Sequence, residues 1–217
     1  ALGADIELGG AGRTDAGVHA LAQVAHLRSR KKARALADAL NAGLPADVHV
    51  LAAEPAPEAF HARHDAVSRS YLYQVSRRRS AFLKPWVWWV RERLDVAAMR
   101  AAAALLPGMH NFAAFAESDP EIRSTRVHVL EARIEERGPL LLLRLHASHF
   151  LWKMVRRLTG ALVPLGAGDL DPSRFQDLLG SGRGSVAEWT APPSGLFLEQ
   201  VLYQGDVLRP LAPAVSL

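Results

Sequence analysis

The sequence predicts an α+β protein in which the strands pair mainly in antiparallel fashion. Two strand-like stretches, 126–137 and 140–148, flank Gly138-Pro139 and are typical of a β-hairpin. Apolar residues recur at helical spacing over 151–165. With 217 residues, of which 49% are hydrophobic, the chain can bury the core of one large domain or two modest ones.

The remaining elements follow from apolar periodicity and from residues that start or stop a helix. Strands are predicted at 18–28, 48–52, 66–76, 86–90 and 195–203, and helices at 33–40, 96–106 and 172–179. Pro45 prevents the first helix from continuing, and Asp95 is expected to cap the second. In the strand 66–76, Tyr71, Tyr73 and Val75 share one face.

The proline-rich stretch 54–60 is the best candidate for a domain junction. We therefore expect an N-terminal half at 1–58, which holds the glycine-rich loop, and a C-terminal half at 59–217.

Composition restricts the possible functions only in part. The chain has 26 Lys and Arg against 22 Asp and Glu, and nearly all the basic residues are arginine. A net charge of +4 favours a nucleic-acid partner weakly, because a neutral enzyme from an arginine-rich proteome would look much the same. The absence of cysteine excludes disulfide scaffolds and thiolate metal sites. No apolar run approaches the roughly 18 residues of a membrane span, so we expect a cytoplasmic protein without a membrane partner.

The loop "GAGRTDAGVHA", at 10–20, is the first candidate site. A glycine-flanked aspartate such as Asp15 is usually a turn residue or a helix cap. Here Arg13 and Thr14 stand beside it, and the glycines would let a bulky ligand approach the backbone. A nearby cation favours an ionised carboxylate, which suits a nucleophile better than a general acid.

The stretch "FHARHDAVSRSYLYQV", at 60–75, mixes guanidinium groups with aromatic rings. Arg63, Arg69, Tyr71 and Tyr73 have the composition of a surface that stacks bases and binds phosphates. The alternative is a half-buried tyrosine strand with a solvated basic edge.

The helix within "SHFLWKMVRRLTGAL", at 148–162, contains two adjacent arginines, Arg156 and Arg157. Neighbours in sequence cannot share one helix face, so one of them must point toward the core. An unpaired charge there would be costly, and Asp15 is our candidate for its carboxylate partner.

Together these motifs resemble the TruA-type tRNA pseudouridine synthases. The stretch "GRTDAGVHA" is similar to that family's signature around its catalytic aspartate, and the similarity extends over about 10–203. Further matching stretches are "FHAR" with "RSYLY", "HNFAAF" with "RSTR", "FLWKMVRRLTGAL" and "GLFLEQVLY".

The resemblance implies two ferredoxin-like α/β halves that form a continuous mixed sheet, with helices on one side and a basic active-site cleft. Family members begin with a strand, a "YDGT"-type motif and a helix before the signature. None of these precedes the loop here, so we expect the N-terminal half to lack its first strand and helix.

The resemblance also implies the reaction and its residues. Uridines at positions 38, 39 and 40 of the tRNA anticodon stem-loop would become pseudouridine without a metal or other cofactor, in a homodimer bridged by tRNA. Asp15 would be the nucleophile, acting at C1′, C6 or C2′, with Arg156 as its partner and Tyr71 stacked on the target base. The expected RNA-binding residues are Arg13, Thr14, His19, Arg63 and Arg69.

Several points stay open at the level of sequence. His19 is placed with the RNA-binding residues, although a structural hydrogen bond in its strand is the other interpretation. The basic stretches 28–34 and 77–79 are phosphate contacts or merely solvated surface. A metal at His61 and His64 is not expected, because their spacing fits no helical ligand pair.

Two other functions compete with the isomerase. One is a non-catalytic RNA-binding module. The other is a glycosidase-like hydrolase, which needs a second carboxylate that the signature region lacks.

Overall fold

The computed structural model describes residues 7–29, 31–120 and 123–216. They fall into two compact units. The smaller unit comprises the described residues up to Arg13 together with Val24–Ala66, and the larger comprises Thr14–Gln23 and the residues from Val67 onward. Asp15 therefore lies in the larger unit. The boundary that we expected at 58/59 lies inside the smaller unit.

Nine strands and four helices are present in the described ranges. The strands are β1 (Leu8–Gly10), β2 (His19–Ala20), β3 (Ala25–Leu27), β4 (Ser68–Ser76), β5 (Trp88–Trp89), β6 (Gly108–Asn111), β7 (Arg126–Arg137), β8 (Leu140–Ala147) and β9 (Leu196–Leu202). The helices are α1 (Ala33–Asn41), α2 (Val96–Ala103), α3 (Met154–Ala167) and α4 (Pro172–Ser181). None of these helices has the length and apolar character needed to cross a membrane.

The smaller unit contains a two-stranded antiparallel sheet, β1 with β3, and the helix α1. The helix forms where the sequence predicted one. The strand predicted at 48–52 is absent, because the backbone of Val50 is bound by the side chain of Asn41 instead of by another strand. The Asn41 amide donates to the Val50 carbonyl at 3.0 Å and accepts from its N–H at 2.7 Å.

The larger unit contains a mixed, mostly antiparallel sheet in the order β2-β9-β4-β8-β7-β6, with β5 paired to β4. The pairs β2–β9 and β5–β4 are parallel, and the other neighbours are antiparallel. The predicted α+β class is confirmed. In the described part of the chain, however, β1 and β3 form a sheet of their own, whereas we expected one continuous sheet.

The two faces of the larger sheet are covered differently. Alternation along β4 places Tyr73 and Val75 in the main core with residues of α2, α3 and α4. The opposite face carries Leu72, which packs against Leu83, Val87 and Leu211 from non-helical segments. The helices therefore lie on one side of this sheet, as predicted.

Three predicted elements differ in extent. The strand expected at 18–28 is divided into β2, which joins β9, and β3, which joins β1. The strand expected at 86–90 shrinks to β5, because Trp86 N–H closes a turn onto the Leu83 carbonyl at 2.8 Å. The helix expected from 151 begins at Met154, because Lys153 adopts a left-handed φ of 58°.

The predicted cap of α2 is confirmed, since the Asp95 side chain accepts from Ala98 N–H at 3.0 Å. The hairpin of β7 and β8 also matches the prediction closely. The hairpin also borders β4, because Leu145 of β8 pairs with Tyr71.

Candidate active site around Asp15

Asp15 lies at the start of a tight turn that leads into β2. Its backbone carbonyl accepts from Val18 N–H at 3.0 Å, and Gly17 in the turn has a φ of +80°. A Cβ atom at Gly17 would also stand 3.1 Å from the ring of Pro193. Glycine is therefore favoured there by its conformation, and any side chain would also crowd Pro193.

The Asp15 carboxylate has one hydrogen-bond donor on each oxygen. Arg156 Nη1 lies 3.1 Å from Oδ2, and the indole Nε1 of Trp152 lies 3.2 Å from Oδ1. The Asp15 side chain keeps 32% of its surface exposed. Each carboxylate oxygen can accept two hydrogen bonds, so both retain a lone pair that a substrate could meet.

Arg156 is fixed on two sides. Its Nε donates to the Ala191 carbonyl at 2.8 Å, and its own carbonyl accepts from Ala191 N–H at 3.1 Å. The guanidinium is thus held in a single orientation before it reaches Asp15. The predicted pairing of Arg156 with Asp15 is confirmed.

The more inward of the two adjacent arginines is Arg157, and its partner is not Asp15. Its side chain is 7% exposed against 15% for Arg156. Arg157 Nη2 lies 2.6 Å from Glu117 Oε2, and Nη1 donates to the Ala116 carbonyl. Asp15, predicted as the partner of the core-facing arginine, is therefore the wrong acid for Arg157, because Glu117 occupies that position.

Glu117 binds the start of α3 through several contacts. Lys153 Nζ lies 3.2 Å from Glu117 Oε2. The backbone N–H of Glu117 donates to the Trp152 carbonyl at 2.9 Å. The hydrogen bond from Lys153 and the charge of Arg157 lower the pKa of Glu117 below its ordinary value. Glu117 thereby links three residues at the start of this helix: Trp152, Lys153 and Arg157.

The loop at 189–195 packs against α3 and Tyr73 and contains the Ala191 carbonyl that binds Arg156. A Cβ at Gly160 of α3 would overlap the Trp189 carbonyl, so only glycine permits this contact. The Tyr73 hydroxyl donates to the Pro192 carbonyl at 2.6 Å. Tyr73 is fully buried, and it therefore belongs to the structural interpretation of the 60–75 stretch and not to an RNA-facing surface.

Tyr71 lies two residues before Tyr73 and is half-buried. Its ring packs edge-on against Phe150 with the centroids 4.9 Å apart. Burial raises the pKa of Tyr71 above its ordinary value of 10; the nearby positive charge of Arg69 lowers it and the negative charge of Asp15 raises it. Tyr71 is therefore a neutral phenol at pH 7 within the electrostatic field of Asp15.

The predicted RNA-binding residues are distributed over both units. Thr14 is exposed beside Asp15, and Arg69 donates to the Ser148 carbonyl at 3.3 Å. The ring of His19 contacts Trp86 and Phe197, with centroids 4.6 and 5.0 Å away, and its Nε2 lies 2.9 Å from the Pro85 carbonyl. These contacts support a structural role for His19.

Arg13 and Arg63 are exposed residues of the smaller unit. Within the basic stretch 28–34, Arg28 lies 3.6 Å from Glu58, and Arg30 falls outside the described residues.

Histidines of the smaller unit lie near one another without forming a metal site. The ring centroids of His61 and His64 are 4.2 Å apart, and those of His61 and His26 are 4.6 Å apart. The Nδ1 atoms of His26 and His61 accept backbone N–H groups. Across the described ranges, no three His, Asp or Glu side chains converge as metal ligands would.

Trp152 is the site residue that the sequence analysis missed. Helical spacing from Arg156 could not have found it, because Trp152 lies before the first residue of α3, where Lys153 has a left-handed backbone. The Ala191 carbonyl could not have been found, because nothing in a proline-rich loop indicates which backbone oxygen will face a helix.

Comparison with known proteins identifies the family. The sequence model of the family described as tRNA pseudouridine synthase matches residues 3–65 and 102–204. The chain is 39% identical to tRNA pseudouridine synthase A of Geotalea daltonii, over 93% of this chain and 84% of that protein. It is 40% identical to the protein of the same name from Chromobacterium violaceum, over 95% and 80% of the two chains. The chain therefore belongs to the tRNA pseudouridine synthase family.

Proposed function

We propose that this chain isomerises uridine to pseudouridine in tRNA, at positions 38, 39 and 40 of the anticodon stem-loop, with the Asp15 carboxylate as nucleophile. The observation that carries the proposal is the Asp15 carboxylate itself. It is held by a donor on each oxygen, from Arg156 and Trp152, while a third of its side chain stays exposed. Family membership and the tRNA named in the relatives support the substrate class.

The reaction balances without a cofactor. The N1–C1′ bond of the nucleoside breaks, the base turns, and a C5–C1′ bond forms. The hydrogen on C5 leaves as a proton and N1 gains a proton, so the product is an isomer of the substrate and no electrons are transferred.

Asp15 supplies the negative charge that this chemistry requires. Departure of the base leaves positive charge at C1′, which a carboxylate captures or stabilises as it does in glycosidases. The same carboxylate could instead add to C6 or take the C2′ proton. In each case its free lone pairs must point to one place, and the two donors fix the carboxylate plane.

Arg156 and Trp152 act as positioning residues in this proposal. The Ala191 carbonyl fixes the Arg156 guanidinium, which in turn donates to Asp15 Oδ2. Trp152 donates to Oδ1. A carboxylate oriented before substrate arrives loses less entropy in reaching the transition state.

Tyr71 is assigned to the target base. A half-buried ring on the strand next to the site can stack on a flipped uracil. Its raised pKa keeps it a neutral phenol, which can accept and donate a proton in relay but does not serve as an anionic base.

The remaining assignments concern RNA binding and assembly. Arg13 would occupy the space left by the flipped nucleotide and contact its phosphate, with Thr14, His19, Arg63 and Arg69 as further contacts. Base flipping costs a few kcal/mol, and stacking with phosphate contacts offsets that cost. We also propose a cytoplasmic homodimer bridged by one tRNA.

Tritium release from tRNA labelled at C5 of uridine tests the activity, because the C5 hydrogen is lost only when the base is rejoined through that atom. We expect release with the full chain, and no release with Asp15→Ala although tRNA binding persists. Binding without release by the unaltered chain would instead identify a non-catalytic RNA-binding module. Substrates that retain a single uridine at 38, 39 or 40 test the positions.

A further inference from the structure

Positive charge is concentrated in one stretch of the larger unit, residues 77–93, here called the 77–93 segment. It contains six basic residues and one acidic residue, a net charge of +5. Since the whole chain carries +4, the other 200 residues together carry −1. The basic character of the protein therefore resides in this segment.

Most of these cations are not neutralised within the protein. Arg77 pairs with Glu136 at 2.9 Å. The other five basic residues are exposed and form no ion pair in the described part of the chain: Arg78, Arg79, Lys84, Arg91 and Arg93. Free surface cations at this density are available to phosphate groups.

Aromatic side chains are exposed between the cations. Phe82 is 83% exposed, Trp86 36% and Trp89 41%. Their neighbours Leu83 and Val87 are buried in the smaller core cluster, so the backbone that carries the exposed rings is anchored. Large exposed rings that are grouped in one segment and bordered by charged residues mark an interaction surface.

One cation and one ring are already arranged together. The guanidinium carbon of Arg79 lies 5.4 Å from the centroid of the Trp89 ring. An arginine held over an indole leaves its N–H groups for a phosphate and the other ring face for a base.

The segment also contacts β2, the strand that follows the Asp15 turn. His19, four residues after Asp15, contacts the ring of Trp86 and lies 2.9 Å from the Pro85 carbonyl. The strand that continues from the Asp15 turn is therefore packed directly against the 77–93 segment.

We propose that the 77–93 segment is a second tRNA contact surface, in which Phe82 and Trp89 stack unpaired bases outside the target position and the free cations bind the adjoining phosphates. The proposal rests on the proposed function for the identity of the RNA. Interleaved aromatic and basic residues are the composition that binds single-stranded nucleic acid. The charge complementarity is with a polyanion such as RNA, because the remainder of a second copy of this chain offers a net charge of only −1.

Two double variants test the surface, each with a matched control. Arg78→Gln/Arg79→Gln removes two cations, and Arg174→Gln is its control, because Arg174 also lies over a tryptophan ring, at 5.7 Å from Trp189. Phe82→Ala/Trp89→Ala removes two exposed rings, and Val207→Ala controls for loss of an apolar side chain of similar exposure. Binding of unmodified tRNA is measured against salt concentration, and melting temperatures verify folding.

The arginine variant should reduce the slope of log affinity against log salt by about 1.4, at about 0.7 for each phosphate contact to a single strand. The aromatic variant should bind tRNA roughly 5- to 150-fold more weakly for each base unstacked, with the loss appearing in KM for tRNA. Both controls should match the unaltered chain.

Wild-type affinity and salt slope in both double variants would overturn the proposal. Loss of binding to phosphatidylserine vesicles with unchanged tRNA affinity would overturn it too, because the surface would then serve a membrane. Tritium release by the unaltered chain is scored separately, so failure of the proposed activity and failure of this surface are distinguishable.

Discussion

Replacement of Arg156 by alanine tests whether the orientation of Asp15 controls the reaction. The substitution removes the 3.1 Å contact to Asp15 Oδ2 and the 2.8 Å bond to the Ala191 carbonyl. Of the two donors described above for the Asp15 carboxylate, Trp152 alone would remain. The carboxylate would be free to rotate about its Cβ–Cγ bond.

The expected loss of stability is moderate. A hydrogen bond to a charged group contributes about 1.5–3 kcal/mol, and two are lost. The Asp15 side chain is one-third exposed, so water replaces part of the interaction, and we expect a net cost of about 2 kcal/mol. For a chain of 217 residues that corresponds to a fall in melting temperature of about 4–8 °C.

The expected loss of activity is larger. A misplacement of about 1 Å in a reacting group costs on the order of 100-fold in rate, so single-turnover tritium release should fall at least that much. Arg157→Ala is the matched control, because Arg157 is adjacent, more buried and paired with Glu117. It should lower the melting temperature more than Arg156→Ala does. Among the molecules that remain folded, it should lower the rate less.

The two variants should rank in opposite order for rate and for melting temperature. If Arg156→Ala keeps its rate within threefold of the unaltered chain while its melting temperature falls, the pair with Asp15 is structural and Arg156 does not position the carboxylate for reaction.

Three further predictions follow from the same contacts. Trp152→Phe removes the indole N–H but keeps a ring, so we expect a roughly tenfold lower single-turnover rate and a smaller fall in melting temperature than Arg156→Ala shows; a rate equal to wild type would refute the role of the second donor. Gly160→Ala should lower both stability and rate in thermal melts and tritium assays, because its methyl group displaces the Trp189 carbonyl, whereas Gly180→Ala, with nothing within 4 Å, should be neutral or slightly stabilising. Because the folded pKa of Glu117 lies below its ordinary 4.5, its contribution to stability is present above pH 4.5 and is lost as pH falls below it. Urea unfolding between pH 6 and 3 should therefore show a steeper loss for the unaltered chain than for Glu117→Gln, and parallel curves would contradict this.

Elements set by local chemistry were predictable from the sequence. The β7–β8 hairpin follows from a Gly-Pro turn between two strand-like stretches, and the start of α2 follows from Asp95. In the site, the pairing of Asp15 with Arg156 was implied by the family resemblance, whereas the cost of an unpaired arginine on an apolar helix predicted an acidic partner for one of the two arginines, and both have one.

Elements set by distant partners were not predictable in the same way. The stretch 18–28 alternates continuously, yet its two strands pair with different partners: β3 pairs with β1, and β2 pairs with β9. The strand β9 lies nearly 180 residues after β2, so local sequence does not indicate this pairing. The partner of Arg157 could not be predicted, because Glu117 lies 40 residues earlier in the chain and belongs to no recognisable motif.

Conformations that depend on tertiary contacts were equally hidden. The left-handed backbone of Lys153 delays α3 to Met154, although the apolar spacing favours an earlier start. The Ala191 carbonyl that fixes Arg156 belongs to a loop whose path is set by Gly160 and Tyr73.

The most direct measurement of the central claim is single-turnover tritium release by Asp15→Asn. Asparagine keeps the shape of the side chain and an oxygen for Arg156, but it removes the negative charge. We predict no release above background from tRNA that the variant still binds within a few-fold of normal. Release at a tenth of the normal rate or faster would show that the charge on residue 15 does not carry the reaction.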